Sequence, residues 1–283
     1  MSDNVVRNRL FKRITSLCLD KDDLRKVLAT LQVRANEAAE KEYILLSLKN
    51  PDNLDQIRKE LNECAILKIG IKGNRNEDLF GTIDDVFNSV SFPESIESLY
   101  INSDLHYRSI YKYNPQNSFK LFIDFTKPKV FDFSFAPNEK TPNESEFGVE
   151  GSDNTWVNGV FHEIDSFFKF KQSRFSKVHR GSIYDFLVWF MGIPFGFAMC
   201  YNFINLKLDV FKHHTFFENI ILTYIFFLSL FILRISFHYF RWVYPMIEYK
   251  SKNNRSIIHQ AALASISLGI IGKIIYDLFK FLL

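Results

Sequence analysis

Two long apolar runs near the C-terminus constrain the fold more than any other feature of this sequence. The first, 183–203, contains one acidic residue, Asp185, and the second, 220–240, carries its basic residues only toward its end. As helices rising about 1.5 Å per residue, these runs each cover about 30 Å, the thickness of the hydrocarbon core of a bilayer. The sequence therefore predicts a C-terminal transmembrane hairpin, with residues 181–283 forming a membrane domain.

Three ionisable residues fall inside the predicted spans, namely Asp185, Arg234 and His238. Charged groups within a membrane face a partner or a water path more often than lipid. We therefore expect Asp185 to pair with Arg234 or His238 across the hairpin, as a salt bridge between packed helices with no role in transport.

The distribution of basic residues predicts the orientation of the hairpin. Five lysines and arginines lie just before the first span and four follow the second, whereas only two lie between the spans. Because cytoplasmic flanks are rich in lysine and arginine, we expect a multi-pass protein of the cell (inner) membrane with a cytoplasmic N-terminal domain. The basic run before the first span is expected to contact anionic lipid headgroups, through Lys171, Arg174, Lys177 and Arg180.

A third segment, 257–283, has an uncharged part of only 12 residues, 261–272. That length is short for a span, and the amphipathic tail after it is typical of a helix lying on a bilayer surface. The alternative, in which the helix crosses and Lys273 marks the far interface, stays open.

Small residues recur every four positions in the membrane domain. Such spacing lets helix backbones approach closely, either within one chain or between copies in a homo-oligomer. The candidate helix-packing residues are Gly192 and Gly196 in the first span and Ala261, Ser265 and Gly269 in the third segment.

The N-terminal part of the chain is charge-rich and mixed. Apolar spacing near 3.6 predicts a helical segment over 1–62, with 34–41 as a polar helical stalk or coiled-coil arm. Over 63–180, short alternating runs predict an α+β domain with the order β-α-β-β-β-β-α and an antiparallel sheet carrying helices on one face. The predicted strands are 65–71, 96–101, 107–113, 119–125 and 146–150, and the predicted helices are 82–90 and 155–170.

That order of elements over 65–170 resembles the TATA-binding-protein-like and helix-grip topologies. The resemblance concerns topology alone and carries no motif residues, so it implies no activity.

Several clusters contain side chains of the kind that bind metal ions or anions. Acidic residues over 139–153 lack the spacing of a calcium loop, and adjacent histidines at 213–214 point apart on a helix, so neither predicts a metal site. A single His-Glu pair at 162–163 lacks the second histidine of a metalloprotease motif. A helix that starts at Asp153 is expected to be capped by that carboxylate, which would occupy the N–H groups that a phosphate would need. No cofactor is predicted.

The net charge of +3 gives no reason to expect a nucleic-acid partner. The sequence therefore favours a membrane-anchored module that binds a small ligand or a cytosolic protein. Two alternatives stay open. One is an oligomeric pore or membrane-disrupting effector gated by the cytosolic domain, and the other is a membrane-bound enzyme whose site the sequence does not reveal.

Overall fold

The structure is a computed structural model, and its chain falls into two units that we describe separately. The α+β unit contains residues 1–126, 143–173 and 247–254, and the helical unit contains 127–142, 174–246 and 255–283. The structure describes residues 6–49, 51–131, 141, 143–173, 176–179, 181–205, 215–251 and 256–282.

The α+β unit is built on a six-stranded antiparallel sheet with the order β1-β7-β6-β5-β3-β4 and on a separate parallel pair, β2-β8. The strands are β1 (Asn8–Arg13), β2 (Leu17–Asp20), β3 (Lys68–Gly73), β4 (Asp78–Thr82), β5 (Ile96–Asn102), β6 (Asn117–Asp124), β7 (Glu146–Gly151) and β8 (Ile247–Lys250). The helices are α1 (Lys21–Lys49), α2 (Leu54–Ala65), α3 (Ile83–Asn88), α4 (Leu105–Ile110) and α5 (Asn154–Phe170).

One face of this sheet forms the core. Alternate residues of the central strands are inaccessible to solvent, and they pack against apolar stripes on α1 and α5. Burying each large apolar side chain contributes about 1.5–3 kcal/mol, so this layer dominates the stability of the unit. The fully buried strand residues include Ile69, Ile71, Leu99, Ile101, Leu121 and Ile123.

Residues 8–20 differ from the sequence prediction. The segment expected to begin an N-terminal helix instead forms strand β1, antiparallel to β7, and strand β2, parallel to β8. The apolar residues Ile14, Leu17 and Leu19 are buried. Their burial comes from strand pairing with residues far along the chain, which local spacing does not reveal.

The predicted strand 107–113 is also wrong, because the chain forms α4 followed by a loop. Tyr107 is buried against Leu61 and Cys64 of α2, while the Tyr113 hydroxyl donates to Glu42 of α1. The aromatic residues therefore pack on helices rather than alternating across a sheet. In addition, strand β4 precedes α3 where no strand was predicted.

The predicted polar stalk is the middle of α1, which runs without a break over 29 residues. Ala35 and Ala39 on this stretch are 5% and 4% exposed, and Glu42 is 2% exposed. The small alanine side chains let the helix pack closely against the rest of the unit, so this stretch is neither a solvated stalk nor a coiled-coil arm.

The helical unit consists of α6 (Gly181–Leu187), α7 (Ile193–Asn205), α8 (Thr215–Val243) and α9 (Ser256–Leu282), with one π-helical turn between α6 and α7. In that turn the Ile193 N–H donates to the Val188 carbonyl. Pro194 follows immediately. Since proline has no N–H and its ring clashes with the carbonyl four residues earlier, a widened turn accommodates it within a continuous rod.

Two helices in this unit are long and apolar enough to cross a membrane, Ser182–Asn205 and Phe216–Val243. Only 17% and 11% of their most apolar windows are buried inside the protein. A core helix of a soluble domain would be mostly buried, so these low values favour a lipid-facing pair. The apolar part of α9, Ile257–Gly269, is shorter.

Candidate functional site

Two glycines of the first apolar run, Gly192 and Gly196, lie against side chains of α8. A Cβ atom on Gly196 would lie 2.7 Å from the Phe226 ring of α8, and one on Gly192 would lie 2.7 Å from Leu233. Further along, the Cys200 thiol donates to the Leu222 carbonyl at 3.4 Å. Later residues of the first apolar helix contact earlier residues of α8, so the two helices are antiparallel neighbours within one chain.

The small residues of α9 have a different environment. Ala261, Ser265 and Gly269 are exposed, and a Cβ on Gly269 would meet no atom of the described residues within 4 Å. The larger apolar residues Ile266 and Leu268 on the same helix are 58% and 69% exposed. Packing within the chain therefore involves Gly192 of the π-helical turn and Gly196 of α7, whereas the small residues of α9 are exposed among the described residues.

The predicted membrane charges lie on both arms of the hairpin. Asp185 belongs to α6, whereas Arg234 and His238 belong to α8, and all three are half-buried. Pairing of Asp185 with either residue stays a prediction.

The basic residues predicted to contact lipid headgroups differ in whether they already form an ion pair within the protein. Lys171 forms an ion pair with Asp23 at 2.8 Å, and the hydrogen bond to this carboxylate raises the pKa of the lysine. Lys177 is exposed. Arg174 and Arg180 lie outside the described residues, as do His213 and His214 of the adjacent histidine pair.

Sequence reasoning missed a buried histidine just before the first apolar helix. His179 is 3% exposed, and its Nε2 lies 2.7 Å from the Tyr244 carbonyl oxygen. A carbonyl only accepts, so Nε2–H donates and Nδ1 is left to accept from the Thr141 hydroxyl at 2.9 Å. Burial lowers the pKa of His179. This neutral imidazole ties the segment before α6 to the residue that follows α8.

The α+β unit contains a polar recess on the face of the sheet opposite the core. Strand registry places Phe11, Gly148, Lys120 and Asn102 side by side across β1, β7, β6 and β5. Gly148 has no side chain, and a Cβ there would lie 3.6 Å from the Phe11 ring, which leans over it. We call this cavity of about 260 Å³ the sheet-face recess; its floor is the strand row, and α4 supplies one wall.

Three cations and three carboxylates line the sheet-face recess. Lys120 pairs with Glu146 at 2.9 Å, and a hydrogen bond to that carboxylate raises the pKa of Lys120. Arg108 pairs with Asp104 at 2.7 Å. The remaining cation is Arg9, whose guanidinium lies 5.9 Å from the Phe11 ring centroid.

Asp104 is the most deeply buried charged side chain of this lining, with 6% of the residue exposed. Its Oδ2 pairs with Arg108, whereas its Oδ1 is buried with no hydrogen-bond partner among the described residues. A buried acceptor without a donor costs about 1–3 kcal/mol, so such groups commonly mark places where a further polar group belongs.

Sequence reasoning did not reveal the sheet-face recess. Residues 8–13 were expected to be helical and residues 107–113 were expected to be a strand, so β1, which forms part of the floor, and α4, which forms one wall, were both predicted wrongly. Within the described residues, no three His, Cys, Asp or Glu side chains are placed to hold a metal ion. Comparison of the chain with known protein families, curated proteins and solved structures found no match.

Proposed function

We propose that this chain is a membrane-anchored binding module: the α6–α8 hairpin anchors it in the cell (inner) membrane, and the cytoplasmic α+β unit binds a small ligand or a protein. The observation that carries the anchor is the outward apolar surface of the hairpin. Trp189, Phe190 and Phe227 are 70%, 67% and 63% exposed. Water would order around so much aromatic surface, whereas lipid tails cover it without that free-energy cost.

The path of the chain supports the proposed topology. The chain leaves the α+β unit after Ser173 and re-enters it at Ile247, where β8 pairs with β2 and Ile247 is 4% exposed in the core. Both ends of the hairpin are thus joined directly to one folded unit. Two crossings bring the chain back to its starting side, and the basic flanks favour the cytosol as that side.

Alkaline extraction of membranes tests the anchor. We expect the full-length protein to sediment with membranes after carbonate treatment and to be released only by detergent. A charge at the bilayer centre costs about 2.5–3.5 kcal/mol on insertion scales, so the pair W189K and F227K should lower the membrane-bound fraction. V90K, a change at a fully exposed position of the α+β unit, is the matched control and should have no effect. Release of the unmodified protein by carbonate would contradict the proposal.

A second candidate function is an oligomeric pore or membrane-disrupting effector gated by the cytosolic domain, and one observation favours it. The small-residue face of α9 is exposed along Ala261, Ser265 and Gly269, which suits close packing against another copy. Under this hypothesis G269L should abolish both cross-linking between copies and ion leakage from expressing cells. A monomer that causes no leakage would refute it.

A further inference from the structure

We propose that the sheet-face recess binds a small zwitterion, an α-amino acid or a molecule with the same ammonium and carboxylate groups, held between Arg9 and Asp104. This inference rests on the proposed function as a binding module and names the chemical class of its ligand.

The size of the recess limits the ligand. A volume of about 260 Å³ corresponds to about nine liquid water molecules, since each occupies about 30 Å³. Pockets for drug-sized ligands begin at about 300 Å³, so the recess suits a smaller molecule. A single amino acid fits this space, whereas a nucleoside triphosphate or a folded peptide does not.

The charges of the recess point to a zwitterion rather than a simple anion or cation. Its three cations and three carboxylates balance, so the lining has no net charge to favour a multiply charged ligand. Two of the cations already have carboxylate partners within the lining, at Lys120–Glu146 and Arg108–Asp104. No carboxylate of the described residues forms an ion pair with Arg9.

Arg9 is the proposed carboxylate contact. The hydrogen bond to Glu146 raises the pKa of Lys120, and the positive charge of the neighbouring Arg9 offsets a small part of that rise, so Arg9 and Lys120 lie close together. Glu150, the cross-strand neighbour of Arg9, pairs with Arg7 at 4.0 Å, so Arg9 has no ion pair among the described residues and makes this end of the recess favourable for an anionic group. The planar guanidinium can bind a carboxylate with two parallel hydrogen bonds.

Asp104 is the proposed ammonium contact. Its Oδ1 lacks a donor, while its Oδ2 is held by Arg108. The χ2 torsion of aspartate is soft, so a small rotation turns Oδ1 toward a donor in the recess. An ammonium group there would provide the missing charge-assisted hydrogen bond.

Two glycines on the same sheet face provide a test that is independent of charge. Gly148 forms part of the recess floor, and a Cβ there makes only ordinary contacts at 3.6 and 3.9 Å. G148V therefore fills the recess with a residue that strands favour, and the fold should tolerate it. Gly70 lies on the same face away from the recess, next to Phe80 at 3.9 Å, so G70V is the matched control.

The experiment is equilibrium binding of radiolabelled amino acids, tested singly, to the detergent-solubilised full-length protein. We expect at least one of the twenty common amino acids to bind at a ratio of one per chain. Binding should be lost in G148V and retained in G70V, with both variants melting at the same temperature as the unmodified protein.

Two further probes assign the contacts of the bound amino acid. Its N-acetyl derivative lacks the ammonium group, and its amide lacks the carboxylate, so each should bind at least about tenfold more weakly, the ratio that 1.4 kcal/mol gives. R9Q should weaken binding of the amino acid while leaving its amide, already weak, unchanged. D104N should weaken binding of the amino acid while leaving binding of the N-acetyl derivative, already weak, unchanged.

Several results would overturn the inference: no binding of any of the twenty amino acids at millimolar concentration, binding that persists in G148V, or derivatives that bind as well as the parent. None of these results bears on carbonate extraction, which tests the anchor. If no amino acid binds, stoichiometric capture of one cytosolic protein by the same full-length chain would keep the binding-module function with a different ligand.

Discussion

Replacing Gly196 with leucine should force the two long apolar helices apart. The Cβ atom alone would lie 2.7 and 2.8 Å from two carbons of the Phe226 ring and 3.0 Å from the Ser229 hydroxyl oxygen. Carbon atoms in favourable contact are about 3.5–4.0 Å apart, so the ring must withdraw by about 1 Å before the rest of the leucine side chain is placed.

The cost follows from overpacking. Extra methylene groups inserted into a filled contact cost about 1–3 kcal/mol, which corresponds to a shift of about 5–150-fold in the equilibrium between the packed and separated hairpin. Phe226 is the residue that obstructs the new side chain, so F226A should recover part of the loss when combined with G196L. Non-additivity of the two changes would locate the strain at this contact.

Cross-linking between α7 and α8 measures the packed hairpin directly. The Cys200 thiol lies 3.4 Å from the Leu222 carbonyl oxygen, so L222C introduces a second thiol on backbone that is close to the first. In a background with Cys18 and Cys64 replaced by serine, oxidation should give an efficient 200–222 disulfide within one chain. The yield should fall in G196L and recover partly in G196L with F226A.

The control for this experiment is G269L, because a Cβ at that position meets none of the described atoms within 4 Å. It should leave the disulfide yield unchanged. Equal cross-linking in G196L and the unmodified hairpin would show that α7 and α8 do not pack through this glycine, and the reasoning would then be refuted.

Two further predictions concern buried polar groups. Burial lowers the pKa of His179 from its usual 6.5, so the unfolded state binds more protons and the stability that neutral His179 contributes is lost as pH falls below 6.5. Thermal melts between pH 7.5 and 5 should show a smaller acid-dependent loss in H179Q, whereas H162Q, at an exposed position, should melt like the unmodified protein. A second prediction concerns Glu42, which accepts from the Tyr113 hydroxyl and the Gln116 N–H. E42A should cost about 1–3 kcal/mol in the free energy of unfolding by denaturant, and E40A, an exposed control on the same helix, should cost much less.

The sequence predicted the elements whose patterns are local and long. Helix α5 begins at its predicted cap, because the Asp153 side chain accepts from the N–H groups of Thr155 and Trp156. The strands at 119–125 and 146–150 were confirmed as β6 and β7, and the apolar runs were confirmed as the long helices α6–α7 and α8. In each case the spacing of the apolar side chains and the flanking residues lie within one continuous stretch of sequence, so the pattern can be recognised without knowing the fold.

The elements that were mispredicted depend on distant partners. Strand β2 pairs with β8, which lies more than two hundred residues later in the chain, and no pattern within residues 17–20 reveals that partner. The sheet-face recess depends on the same kind of information. Arg9 and Asp104 line one cavity only because β1 joins the sheet next to β7.

Site-specific labelling tests the central claim, which is that the hairpin crosses a bilayer twice and returns to the side of the α+β unit. Single cysteines would be introduced by N205C, at the end of α7, and by V90C, at an exposed position of the α+β unit, in a background lacking Cys18, Cys64 and Cys200. In intact spheroplasts, a membrane-impermeant maleimide should label position 205 but reach position 90 only after permeabilisation. Labelling of both positions to the same extent before permeabilisation would contradict a hairpin that spans the membrane.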